Sequence, residues 1–212
     1  AYAGVRAYYG PTVLTPIAQP GALDLYTEEA IRRTLFESDV IGDVKCSEAY
    51  TPIEWRDIKP KKIKWTRNTG YFVLQGQGVK QGRIFPICGG PLRQIMGTKF
   101  FPKPEFFEGA FIAIEHGPIY GSHLAALHEL RAFAAAGMFD KAAGIITGKL
   151  DEESRNVIKK VINQEVHRED MIIFENVDFV HHTPMTVLPI GALCEIDCEQ
   201  ATFRILESGV RE

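Results

Sequence analysis

Apolar and polar positions divide this chain unevenly. Residues 1–20 are apolar and then broken by Pro11, Pro16 and Pro20, which predicts a strand that runs into a linker. Residues 27–36 (TEEAIRRTLF) combine a capping threonine, early glutamates and apolar Ala30, Ile31, Leu35 and Phe36, the signature of a helix. Residues 37–69 are polar, carry Pro52, Pro60 and both tryptophans, and predict loop and edge strand. From Gly70 the pattern tightens. Residues 71–74, 79–88 and 110–115 read as strands, with Gly76, Gly78 and Gly82 at turns. Residues 122–136 read as a helix with Ser122 as its cap and Gly137 as its stop. Residues 143–147 (AGIIT) predict a buried strand, 151–164 a second amphipathic helix, and 171–174 another strand. Residues 186–197 and 201–207 predict a closing hairpin around Cys198, Glu199 and Gln200. The alternation predicts an α/β or α+β domain, and the final hairpin argues for a mixed sheet.

Composition changes this picture little. The chain has 212 residues, 45% hydrophobic and 24% charged, with a formal net charge of −3, enough to bury a core of its own. The near-neutral balance argues against a nucleic-acid binder, and the one basic cluster, Lys59, Lys61, Lys62 and Lys64, reads as a solvated loop. No apolar run approaches the roughly 20 residues that cross a bilayer, so no membrane partner is expected. Cys46, Cys88, Cys194 and Cys198 match no zinc or disulfide spacing and predict thiols in a reducing, cytoplasmic setting. His123 and His128 lie five apart, off a shared helix face, so neither a metal nor a cofactor is expected.

Four places could carry chemistry. Glu115 ends the apolar strand FIAIE, where a carboxylate could orient a histidine or could equally face water. His181 and His182 precede Thr183-Pro184. An imidazole there could be a general base, or the pair could be a solvated turn, and adjacent side chains point opposite ways. Gly89 and Gly90 follow a strand and allow a sharp turn or a close ligand approach, with Cys88 beside them. Trp55 and Trp65 sit in a polar loop, where tryptophan contacts ligands or pins the loop to the core.

Taken in order, several segments resemble the LD-carboxypeptidase and microcin-resistance serine peptidase family. The segments are Tyr9-Gly10-Pro11, Gly89-Gly90-Pro91-Leu92, FIAIEHG, GMFDKAAGIITGK and HHTPMTVLPIGA. Two departures stand out: Pro91 where the family has asparagine and His116 where it has aspartate. The resemblance implies a swivelling β/β/α-type C-terminal domain with a mixed, barrel-like sheet over residues 21–212. Residues 1–20 would then be the closing strand of an N-terminal domain and a linker. It further implies a Ser-His-Glu triad in which Glu115 is the acid and His182, directly before Thr183, the base. The nucleophilic serine would come from the N-terminal domain, so this chain alone would be inactive. Trp55 and Gly90 would help hold the substrate, a murein tetrapeptide or a peptidyl-nucleotide microcin, and the family implies homodimers. The competing expectation is a non-catalytic binding or dimerisation domain.

Overall fold

The computed structural model describes residues 5–13, 17, 23–52, 64–115 and 122–210. Its first elements are β1 (Tyr8–Tyr9), α1 (Leu25–Leu35), β2 (Val40–Asp43), β3 (Ala49–Pro52), β4 (Thr66–Arg67), β5 (Phe72–Gln75) and β6 (Val79–Cys88). There follow α2 (Gly89–Gln94), β7 (Phe111–Glu115), α3 (His123–Ala135), β8 (Gly144–Thr147), α4 (Glu152–Lys159) and β9 (Ile172–Glu175). The chain closes with β10 (His182–Thr183), β11 (Leu188–Pro189), β12 (Leu193–Asp197) and β13 (Thr202–Ser208).

Eight strands form one sheet in the order β2-β13-β12-β6-β7-β8-β9-β5. The central β6, β7, β8 and β9 are mutually parallel, and antiparallel strands flank them on both sides. This is the mixed α/β architecture expected from the sequence, and the parallel centre explains why its strands are apolar on both faces. In β7, Phe111 and Ala113 enter one core while Ile112 and Ile114 enter the other. The second core is closed by Leu130 and Phe133 of α3 and by Ile158 of α4 with Val161 and Ile162 beyond it. Among the described residues the first core takes none from a helix and is filled by Cys194, Ile196, Phe203 and Ile205 of the antiparallel strands. Two small ribbons, β1-β11 and β10-β3-β4, lie beside the main sheet.

The helices show which local signals prevailed. Ser122 caps α3 by accepting from the Ala125 amide at 3.3 Å, and Gly137 follows with a φ of +75°, as the pattern predicts. Asp151 caps α4 at 2.8 Å through the Ser154 amide. The helix then widens into a π turn over Lys160–Glu165, so one predicted helix becomes two conformations. The cap of α1 is Asp24, through the Tyr26 amide, and not Thr27. Thr27 lies inside the helix, buried, where its Oγ1 accepts from the Met185 amide at 2.9 Å. A tertiary contact thus uses the hydroxyl that the sequence pattern assigns to capping. The predicted loop of 37–69 contributes β2, β3 and β4, with β2 at the sheet edge.

Candidate functional site

Residues at the carboxyl ends of the parallel strands lie side by side, the usual place for a site in an α/β sheet. Cys88 ends β6 opposite Glu115 at the end of β7, and Thr147 ends β8. Gly148 continues from β8. A Cβ there would meet Val180 Cγ2 at 2.5 Å and the Phe179 carbonyl oxygen at 3.0 Å. Only glycine lets the histidine-bearing segment pass this close to the strand ends. Val180 has a φ of +95°, unusual for a β-branched residue, and its carbonyl accepts from the His182 amide at 2.8 Å. The tight turn centred on His181 sends the two imidazoles to different surroundings.

Glu115 is 2% exposed. One carboxylate oxygen contacts His181 Nδ1 and the other accepts from the Tyr9 hydroxyl. A buried carboxylate needs such donors, because an ionised group without them is costly to desolvate. His181 is 24% exposed at its side chain and so reaches the surface. Nδ1 engagement leaves Nε2 on the far side of the ring.

His182 occupies a second polar group. Its backbone lies in β10, opposite Pro52 of β3, and its ring packs edge-on against Tyr50 at 5.5 Å. The Lys149 ammonium sits 4.6 Å above the Tyr50 ring and 2.5 Å from Asp178 Oδ1. Asp178 also accepts from the Ser47 amide at 2.7 Å and the Ser47 hydroxyl at 3.0 Å, and Asn68 bonds Ser47 at 3.1 Å. Burial, and then the Lys149 charge, pull His182 down to about 4, so it is neutral at pH 7. Burial, reinforced by Asp178, pushes the nearby Cys46 thiol up to about 12, so it is not a ready nucleophile.

The residues expected from the sequence thus fall in distinct places. Glu115 is buried against His181, while His182, one residue on, faces Tyr50. Gly90 is the second residue of α2, with open space where a side chain would stand, and Gly89, which begins the helix, is pressed against Glu129. Trp55 and His116 lie outside the described residues. Trp65 is exposed on a groove of about 620 Å³, whose walls include Tyr26, Arg33, Cys46, Glu48 and Pro184. Among the described residues no cluster of three His, Cys, Asp or Glu could hold a metal, and no helix is long and apolar enough to cross a membrane. Sequence reasoning overlooked Lys149, Asp178 and Tyr50. The available signals were a lysine one glycine beyond the strand GIIT and an acid inside the apolar run NVDFV.

Known proteins extend the picture. A family model described as the LD-carboxypeptidase C-terminal domain matches residues 81–196, more than half of the chain. The chain is 25% identical to a putative carboxypeptidase, YocD, of Bacillus subtilis over 209 residues, covering 95% of this chain and 60% of that protein. It is 23% identical to the microcin C7 self-immunity protein MccF of Escherichia coli, covering 98% of this chain and 61% of that protein. It therefore spans about three fifths of the length of these relatives. The structure of microcin C7 self-immunity protein MccF with aspartyl sulfamoyl adenosine superposes with a TM-score of 0.82 at 21% identity, covering 98% of this chain and 63% of that one. An MccF-like protein from Streptococcus pneumoniae, in complex with AMP, gives 0.79 at 19% identity, covering 95% and 64%. These likenesses show the fold, and with the match over strands β6 to β12 they place the chain in the LD-carboxypeptidase C-terminal domain family.

Proposed function

We propose that this domain supplies the acid and the base of a Ser-His-Glu relay in a serine carboxypeptidase whose nucleophile lies in an upstream domain. The observation that carries the reading is the contact between buried Glu115 and an imidazole at the carboxyl ends of the parallel strands. In such a relay the serine hydroxyl attacks the scissile carbonyl carbon and its proton passes to imidazole Nε2. The imidazolium then gives that proton to the leaving amine, and water hydrolyses the acyl-enzyme by the same route. Glu115 fixes the tautomer through Nδ1 and stabilises the imidazolium.

In this geometry the base is His181, because its Nδ1 meets the carboxylate and its Nε2 is turned away from it. A second reading gives the base to His182. Two observations favour it: His182 directly precedes Thr183 in the family-like HHTPMTVLPIG segment, and it is neutral at pH 7, as a general base must be. Glu115 is the acid in both. For the substrate we propose a peptide whose C-terminal residue is cleaved off, either a murein tetrapeptide or a peptidyl-nucleotide. Support comes from the family and from the nucleotide ligands of the related structures.

The test is turnover of both substrate classes by the parent protein carrying the upstream domain, with Glu115→Gln, His181→Ala and His182→Ala. Loss of about 10³-fold or more in kcat for one histidine variant identifies the base. Full activity in all three variants would leave a binding or dimerisation domain.

A further inference from the structure

Glu115 has two oxygens, and only one is engaged by the imidazole. The other accepts from the hydroxyl of Tyr9, 106 residues earlier in the chain. We propose that Tyr9 is a positioning residue that aims the Glu115 carboxylate at its histidine and keeps that carboxylate ionised. The proposal rests on the reading of Glu115 as the orienting acid and holds for either histidine as its partner.

Tyr9 is itself held firmly. Its strand, β1, pairs antiparallel with β11, Tyr9 opposite Leu188, and the Ile190 amide donates to the Ala7 carbonyl at 2.9 Å. On one side of it Arg6 donates to the carbonyls of Ser208 and Gly209 at 2.8 and 2.6 Å, and the Tyr8 hydroxyl also donates to Gly209, at 2.7 Å. On the other side Gly10 leaves only enough room for Val187, whose Cγ2 would lie 3.2 Å from an added Cβ. The Tyr9 ring stands edge-on to buried Phe179 at 5.9 Å, two residues before His181. One aromatic side chain therefore braces the backbone that carries the histidines and bonds the acid that orients them.

The chemistry favours a phenol here. A buried carboxylate that must stabilise a developing imidazolium needs its second oxygen satisfied. A lysine or arginine would satisfy it but would neutralise the charge the imidazolium depends on. A phenolic hydroxyl donates one hydrogen bond and carries no charge, so the full negative charge remains available.

The experiment compares Tyr9→Phe, Tyr9→His and Glu115→Gln in the parent protein. Tyr9→Phe keeps the ring against Phe179 and removes only the donor, so the fold is retained. The expected result is a fall of about 10- to 100-fold in kcat, the loss of one hydrogen bond to a charged group, with KM unchanged. The acid limb of the pH–rate profile moves to higher pH, because a carboxylate without its donor is protonated more readily. Tyr9→His, which restores a neutral N–H donor, recovers part of the loss. In Glu115→Gln the further change Tyr9→Phe has no additional effect on kcat. Wild-type kcat and pH profile in Tyr9→Phe, with Glu115→Gln inactive, would overturn the role of Tyr9 and leave the site reading intact. Full activity in Glu115→Gln would overturn both.

Discussion

Replacing Lys149 by methionine removes the cation from a pair that is almost wholly out of water: the Lys149 side chain is 8% exposed and that of Asp178 0%. Breaking a buried pair from one side costs about 3–5 kcal/mol, because the remaining charge is stranded. Asp178 keeps its two bonds from Ser47, so the lower end, about 3 kcal/mol, is expected. For a domain of this size that lowers Tm by roughly 6–12 °C. Urea unfolding of the chain, followed by circular dichroism at pH 7, reads the loss from the midpoint. The double variant Lys149→Met/Asp178→Asn removes both charges together. It is expected to be less destabilised than the sum of its singles by about 1 kcal/mol or more. The same substitution removes a positive charge that faces His182 across Tyr50, so His182 titrates at higher pH in Lys149→Met than in the wild type. A stability loss below about 1 kcal/mol, with additive singles, would refute the view that Lys149 and Asp178 form one buried unit.

Stability should fall as pH drops from about 6.5 to about 4. His182 is depressed in the folded state, so the unfolded chain binds its proton first; the loss reaches at most about 3 kcal/mol, and in His182→Gln the pH dependence flattens in urea titrations. Gly148→Ala forces a methyl group against Val180 and the Phe179 carbonyl, costing about 1–3 kcal/mol in the same assay and perturbing the His181 and His182 resonances. Asp151→Ala removes the α4 cap and the contact with His123, lowering stability by about 1 kcal/mol.

Much of the fold can be read from the chain because its strongest signals are periodic. The run FIAI is apolar without alternation, as a strand with cores on both faces must be, and Ser122 with Gly137 brackets α3 at both ends. The sheet order and the small strands β3, β4 and β10 left no such trace. Two- to four-residue strands are set by tertiary pairing, here β10 against Pro52 and Thr51, and not by local propensity. For the site, a strand-end glutamate and a histidine pair before Thr-Pro were conspicuous, but which imidazole meets the acid depends on the turn at Val180. That φ of +95° on a β-branched residue is imposed by its neighbours and has no sequence signature. The partnership of Tyr9 with Glu115 was hidden for another reason. It joins a two-residue strand to the centre of the sheet across 106 positions, and only pairing with Leu188 and Pro189 brings them together.

The proposed relay stands on Glu115 holding the Nδ1–H of a histidine in the HHT segment. Proton NMR of the chain at low temperature reads that hydrogen directly. The expected result is a strongly deshielded, exchange-protected imidazole Nδ1 proton that disappears in Glu115→Gln and in only one of His181→Gln and His182→Gln. The same spectrum in Glu115→Gln as in the wild type would contradict it.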